Sequence, residues 1–343
     1  MKSCEVLIVG AGPIGLEVAW HVRSACQDTL HVDAGAVGET IARLFPPATR
    51  FFSSPERIAI AGVDLPVPTQ EKITGEEYLA YLRSVAITRD LPVQTFHRVV
   101  AAEPSSEGFS VTMEELSGRR HHVHASKVVL ACGGTHRPRT LGVPGEDLPH
   151  VTSHLGNPHR FFGRRVLIVG GKNSAVESAL RCWRVHAEVT LCLREEEIHE
   201  RVKYWLRPEV MALIEEGKIT AHRSSRVVSI EPGIARVEHM ATGATTDIDA
   251  DDVILQIGYE QDDALFRLFG VTLTEPQGAP SHNPETLETD VAGVFVAGTA
   301  IAGTQQRFKA YIETSHDHGP RIAAAIAGAA PPPPQEARIL PEA

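Results

Sequence analysis

An α/β fold with two doubly wound nucleotide-binding units is predicted from the sequence by three observations. The pentapeptide Val6-Leu7-Ile8-Val9-Gly10 returns unchanged as Val166-Leu167-Ile168-Val169-Gly170. Each copy is a short all-apolar run, as expected of a parallel strand buried on both faces. Each then passes through glycines into a helical pattern, the strand, turn and helix order of a Rossmann-like unit.

In the first unit the turn reads Gly10-Ala11-Gly12-Pro13-Ile14-Gly15. Its glycines let the backbone approach a pyrophosphate whose charge is met by free N–H groups at the helix start. Asp33 closes the next strand, His31-Val32-Asp33, about twenty residues on, where a carboxylate accepts from ribose hydroxyls and repels a 2'-phosphate. That pairing suits the unphosphorylated adenosine of FAD. Residues 75–90 then carry an apolar helical stripe, and 108–113 and 121–129 alternate like antiparallel strands, read as an insertion covering the first domain.

The second turn, Gly170-Gly171-Lys172-Asn173-Ser174-Ala175, has Lys172 in place of the middle glycine. The strand that follows ends in Arg194 instead of an acid, with Arg201 and Lys203 shortly beyond, cations that a 2'-phosphate requires. NADPH is therefore favoured over NADH, against the alternative that Glu195, Glu196 and Glu197 simply pair with those bases. Residues 226–237 and 245–255 suggest further strands, and Gly293-Val294-Phe295-Val296-Ala297-Gly298 another buried strand that returns the chain to the first domain.

Bulk properties exclude several functions. Of 343 residues, 43% are hydrophobic and 22% charged, enough for two cored domains, and the formal charge of -10 provides no basic field for nucleic acid or an anionic membrane. The five cysteines never form CxxC, which suggests neither a disulfide framework nor a zinc knuckle and fits a reducing cytoplasm. The apolar run at Val6 is cut by Gly10, Gly12 and Glu17, too soon for a membrane span.

With these residues placed, the chain resembles the thioredoxin-reductase-like flavoproteins over nearly its whole length. Both glycine turns carry the likeness, as do Val128-Val129-Leu130-Ala131-Cys132-Gly133-Gly134-Thr135, Val143-Pro144-Gly145 and Val294-Phe295-Val296-Ala297-Gly298. Within that group it looks most like the bacillithiol disulfide reductases, or bacilliredoxin reductases. This rests on Phe51-Phe52-Ser53-Ser54-Pro55-Glu56-Arg57-Ile58, the run from Gly170 to Glu177, Val202-Lys203-Tyr204-Trp205-Leu206-Arg207-Pro208, and Ile312-Glu313 with His318-Gly319. The resemblance implies an FAD-binding domain of residues 1–150 and 253–327, an inserted NAD(P)H-binding domain of 151–252, a homodimer, and hydride transfer aided by domain rotation. Residues 328–343, rich in proline, are expected to be a disordered tail.

Two positions depart from the family pattern. Where the bacillithiol enzymes carry a loop cysteine beside the last glycine, this chain has Ile14, so the thiol that would attack a disulfide is missing. The wider family ends its last strand in Gly-Asp, the acid holding a ribityl hydroxyl, whereas here Gly298 precedes Thr299. Cys132 is read as a small buried residue, and Phe52, Ser53, Ser54 and Gly133 as lining the flavin pocket. Glu313, His316 and His318 are candidates for proton handling, with helix capping or a dimer contact as the alternative. His121-His122-Val123-His124 is set aside as a metal site, because strand alternation separates His121 from the others and no carboxylate neighbours it in sequence.

The expected activity is hydride transfer from NADPH to flavin and on to a low-molecular-weight disulfide or small redox protein. Ferredoxin or flavodoxin reduction, a flavin monooxygenase reaction, and a non-enzymatic flavin or NADPH sensor are the alternatives.

Overall fold

The computed structural model describes residues 2–26, 28–69, 71–304 and 310–334. They divide into two compact units, one of residues up to Arg137 and again from Glu260, the other Pro138–Tyr259.

The first unit opens with β1 (Lys2–Val9), α1 (Pro13–Ala25), β2 (Thr29–Val32), α2 (Glu39–Leu44), α3 (Pro55–Ile58) and α4 (Gly75–Thr88). Then come β3 (Val93–Gln94), β4 (His97–Ser105), β5 (Gly108–Glu115) and β6 (Arg120–Leu130), and β7 (Arg137–Pro138) leads the chain out. Helix α4 starts at a capping box in which the Thr74 hydroxyl accepts from the Glu77 N–H and the Glu77 carboxylate accepts from the Thr74 N–H.

The second unit comprises β8 (Val151–Thr152), β9 (Arg165–Val169), α5 (Asn173–Arg184), β10 (Glu188–Cys192), α6 (Arg207–Glu215) and β11 (Ile219–His222). A meander of β12 (Ser225–Glu231), β13 (Gly233–His239) and β14 (Thr245–Ala250) follows, then β15 (Asp252–Leu255). The chain returns through β16 (Tyr259–Glu260) to α7 (Ala264–Leu268), β17 (Leu273–Thr274), β18 (Ala279–Pro280), β19 (Val294–Val296) and α8 (His318–Ile326).

The repeated pentapeptide is buried on both faces in each unit. In β1, Val6 and Ile8 join a core with Leu16 of α1, Tyr78 and Leu82 of α4 and Ile322 of α8, while Leu7 and Val9 face Phe109, Phe266 and Phe269. In β9, Val166 and Ile168 pack under Val176 and Leu180 of α5, while Leu167 and Val169 meet Val227, Ala235 and Ile248 of the meander. A continuous apolar run is what two covered faces require. The parallel ladders β3-β2-β1-β6 and β11-β10-β9-β15-β8 follow from this.

Two boundaries and one assignment differ from the sequence reading. Residues 138–150 and 253–259, read from sequence as part of the first domain, lie in the second unit: Leu141, Val143 and Leu148 pack beside Ile230, whose N–H donates to Pro144 O at 2.9 Å, and β15 is a strand of that unit's sheet. Nor are β5 and β6 an insertion over the first domain. One edge of β6 pairs with β1; the other pairs first with β5 and then, at 128–130, with β19, so the meander extends the sheet itself. Of the expected tail, residues 328–334 form no helix or strand, and the rest lies outside the described residues.

Candidate functional site

The first turn sits where three strands of the first unit end together. Ala131 N–H donates to Val9 O and Ala297 N–H to Leu130 O, bringing the exits of β1, β6 and β19 side by side. At Gly10 φ is +111°, and an added Cβ would collide with the Ala131 carbonyl. A Cβ at Gly15 would collide with the Gly10 carbonyl. At Gly12, the residue preceding α1, nothing lies within 4 Å of that position. Gly10 and Gly15 thus serve the fold, while Gly12 leaves open space at a helix N-terminus, the cradle a pyrophosphate needs.

Asp33 is built into this cradle. Its carboxylate accepts from the Ala11 N–H at 2.6 Å and the Gly35 N–H at 2.7 Å. Burial raises its pKa above the usual carboxylate value, against the pull of those two donors. His31, buried one strand over, bonds the Gly10 carbonyl through Nε2 at 2.8 Å, which makes that nitrogen the donor. Desolvation drops its pKa to about 4, so the ring is neutral. Sequence reading missed this anchor, whose one signal was a histidine between Leu30 and Val32 in a strand.

Around the exits of β6 and β19, the Thr299 hydroxyl accepts from the Gly134 N–H at 3.0 Å and retains its own proton to donate. Gly298 lies against Ile14: a Cβ there would stand 3.1 Å from the Ile14 Cβ. Ile14 is buried in the core, where it acts as an apolar wall and not as a nucleophile. Cys132 packs at the edge of the opposite core, and burial pushes its thiol up to about 12. The other cysteines are raised as well, Cys4 to about 11 and Cys182 and Cys192 to about 12, desolvation leading in each case. No cysteine of the chain is an activated thiolate.

The three candidate proton handlers all engage this first unit. Ser53 Oγ donates to the Glu313 carboxylate at 2.5 Å. His316 bonds Glu17 through Nδ1 at 2.9 Å and the Arg57 carbonyl through Nε2 at 2.7 Å. His318 Nδ1 accepts from the Gly298 N–H at 2.9 Å, and burial lowers its pKa to about 4. Glu17, 6% exposed on α1, was passed over in sequence as a mere break in an apolar run. Ser54 precedes α3 and Phe52 is half-buried, whereas Phe51 packs on Phe45 and Tyr78 as a core ring. Gly133 has φ +78° with Thr299 Oγ1 3.7 Å from its Cβ position.

The second turn repeats the first in outline. Gly170 has φ +136° and a Cβ there would meet the Gln256 carbonyl, and Gly171 faces Leu193. Lys172 caps α5 with an exposed side chain, Ser174 is exposed, and Ala175 is buried beneath Gly170. Asn173 is drawn inward, its Oδ1 accepting from the Lys203 N–H at 2.7 Å. Arg194 stands 80% exposed after β10, with Glu195 at 3.7 Å.

Lys203 is turned inward. It is 7% exposed, its ammonium lies 3.3 Å from Glu177 and over the Trp205 ring, and burial lowers its pKa. A lysine so placed braces the second unit, and of the three cations read from sequence Arg194 and Arg201 are the exposed ones. Glu196 takes Ser224 Oγ at 2.6 Å and, through its carbonyl, the Arg223 guanidinium, so it does not neutralise Arg194.

The three histidines of the triplet have different partners. His122 and His124 bond Thr112 and Ser105, but His121 Nε2 lies 2.6 Å from Glu115 Oε1, with His97 beside them. The carboxylate missing from the sequence neighbourhood comes from the adjacent strand.

Comparison with known proteins places these features among relatives. A family model described as pyridine nucleotide-disulphide oxidoreductase matches residues 7–298. Bacilliredoxin reductase Bdr of Bacillus subtilis (strain 168) is 31% identical over 333 residues, covering 94% of this chain and 97% of that one. The structure of bacillithiol disulfide reductase Bdr from Bacillus cereus superposes with a TM-score of 0.89 at 30% identity, covering 95% of this chain and 99% of the other. Thioredoxin reductase of T. acidophilum shares the fold at a TM-score of 0.72 and 20% identity, over 96% and 99% of the two chains. Among the described residues no helix is long and apolar enough to cross a membrane.

Proposed function

Because the chain belongs to the pyridine nucleotide-disulphide oxidoreductase family, we propose that it holds FAD on the first glycine turn and NADPH on the second, and delivers two electrons to a small disulfide. Family membership makes it a flavin-dependent oxidoreductase; the particular nucleotides and acceptor are our reading. The observation that carries it is the contrast between the two turns: an acid, Asp33, follows the first and an exposed cation, Arg194, the second. An acid suits a ribose with free hydroxyls, a guanidinium one bearing a 2'-phosphate.

FAD supplies the two-electron relay between nicotinamide and acceptor. The protein supplies position: Gly12 and the start of α1 take the pyrophosphate, Asp33 the adenosine ribose, and Thr299 a polyol hydroxyl. In the second unit the start of α5 and Arg194 take the dinucleotide. The net reaction is NADPH + H⁺ + RSSR → NADP⁺ + 2 RSH. His316, held by Glu17, is the group suited to supply protons, and Glu313 with Ser53 and His318 with Gly298 fix the surrounding turns. With Ile14 in the loop and every thiol pKa raised by burial, the chain offers no cysteine relay, so bound FAD would have to pass its electrons to the acceptor without a thiol of this chain. The reading is of a homodimer in a reducing compartment, in keeping with five unpaired cysteines.

The test is anaerobic reduction of the purified flavoprotein by NADPH or NADH, followed by reoxidation with bacillithiol disulfide, ferredoxin or air. Faster bleaching with NADPH and faster recovery with the disulfide are expected. Recovery fastest with ferredoxin or with oxygen would replace the disulfide as acceptor, and a flavin that neither nucleotide bleaches would end the reading.

A further inference from the structure

The β4–β5–β6 meander gathers three ligand-type side chains that the redox chemistry does not use. His97 begins β4 and is the register partner of Glu115, the last residue of β5; His121 lies near the start of β6. One donor atom from each falls within 4.8 Å of the others. His97 Nε2 is 3.5 Å and His121 Nε2 2.6 Å from Glu115 Oε1.

The tautomer of His97 is fixed by its surroundings. Nδ1 lies 2.8 Å from the Thr95 carbonyl, which can only accept, so Nδ1 bears the proton. In the neutral ring the Nε2 lone pair then faces Glu115 Oε1, two acceptors turned toward one another. A carbonyl holding the far nitrogen of an imidazole is the support that metal-ligating histidines have. The Glu115 carboxylate accepts from the Arg119 guanidinium at 2.8 Å and faces His121 Nε2 at 2.6 Å.

We propose that His97, Glu115 and His121 form a binding site for a divalent transition ion of the zinc class, with water completing the shell. Two imidazoles and one carboxylate suit zinc, cobalt or nickel over magnesium or calcium, which prefer oxygen throughout. Tetrahedral coordination with bonds of ~2.0–2.1 Å sets neighbouring donors about 3.4 Å apart, close to the His97–Glu115 separation. The proton shared by His121 and Glu115 gives way to the ion as the half-exposed His121 ring turns outward. Arg119, 2.8 Å from Glu115 Oε1 on a side chain 69% exposed, is the competitor that must swing away.

The site has a mechanical link to the first turn. His97 N–H donates to the Asp33 carbonyl at 2.8 Å, and Phe96 N–H to the Gly35 carbonyl at 3.1 Å. An ion on His97 therefore braces the backbone that presents Asp33. Its binding does not depend on which nucleotide that turn holds.

The experiment is zinc titration of the full-length, flavin-loaded protein near neutral pH, by calorimetry and by equilibrium dialysis with elemental analysis. One equivalent of zinc per chain is expected, with none of magnesium. His97→Ala, His121→Ala and Glu115→Gln should each weaken binding about tenfold or more, while His122→Ala and His124→Ala, on the opposite face, leave it unchanged. Arg119→Ala, at an exposed position that folding does not need, should tighten binding by removing the competitor. Zinc should also raise the thermal midpoint of the unaltered protein and not of His97→Ala or His121→Ala. Absence of binding, or stoichiometric binding that survives both histidine replacements with Arg119→Ala neutral, would overturn the proposal.

Discussion

His316 is clasped between two acceptors, the Glu17 carboxylate at Nδ1 and the Arg57 carbonyl at Nε2. Only an imidazolium can donate to both. Burial opposes the charge, but the hydrogen bond and charge of Glu17 prevail, and the pKa is raised above its ordinary value. The stability this pair contributes is fully present below the unfolded histidine pKa of about 6.5 and is lost as pH rises through the folded value. His31 and His318 work oppositely: with folded pKa values of about 4 they gain protons on unfolding, so stability is lost as pH falls from the unfolded value toward 4. A thermal midpoint measured against pH should therefore pass through a maximum near neutrality. In His316→Gln the alkaline decline should flatten and the acid limb remain; an unaltered alkaline limb would show that the pair does not titrate as described.

The two outer glycines of the first turn and the middle one should fail differently. Gly15→Ala puts a methyl into the Gly10 carbonyl, a backbone atom that cannot step aside, and should cost about 3 kcal/mol of stability. Gly12→Ala meets nothing within 4 Å and should change stability by roughly 0.5 kcal/mol or less, yet the purified protein should carry far less FAD. Flavin content set against thermal melting separates the two. A fully yellow Gly12→Ala protein would remove the pyrophosphate from this turn.

Much of this was legible in the sequence because the buried parallel strands announce themselves by composition. Val6–Val9 and Val166–Val169 cannot be anything polar when both faces are covered, and the glycine turns follow from the backbone collisions at Gly10 and Gly170. The two-unit, thioredoxin-reductase-like fold was accordingly foreseen. What escaped were relations that need the third dimension. Glu17 and His316 are 299 residues apart, and Glu115 reaches His121 only across a strand turn. For Lys203, sequence shows its nearness to Arg194 and not its inward turn toward Glu177. The unit boundary near 137 was hidden because residues 138–150 are mostly irregular chain, held by Gly145 and Pro144 against Ile230.

The thiols give a third prediction. With desolvation holding Cys4, Cys132, Cys182 and Cys192 near 11 or 12, and Cys26 raised and donating to Glu5, the thiolate fraction near neutral pH is very small at each. Iodoacetamide should leave the native protein essentially unlabelled near neutral pH over times that alkylate all five cysteines in denaturant. Ile14→Cys should add one reactive site if the loop is open to solutes. Mass spectrometry counts the adducts, and rapid labelling of Cys132 in the native chain would contradict the absence of an internal relay.

Arg194 and Lys203 supply the last. Arg194 is exposed and bound only loosely to Glu195, so its replacement should hardly affect folding. If it holds a 2'-phosphate, Arg194→Glu exchanges a charge-assisted hydrogen bond for repulsion. The ratio of kcat/KM for NADPH over NADH should then fall about tenfold to a hundredfold. Lys203→Ala should do the reverse: it removes the nearer of two cations beside the Glu177 carboxylate, Arg181 standing at 3.8 Å, and should destabilise the protein by roughly 1–3 kcal/mol. The nucleotide preference of the protein that still folds should be unchanged, since the ammonium faces Glu177 and the Trp205 ring. Steady-state kinetics with both nucleotides, paired with thermal melting, distinguish the two roles. A preference lost with Lys203 and kept without Arg194 would return the phosphate site to the lysine.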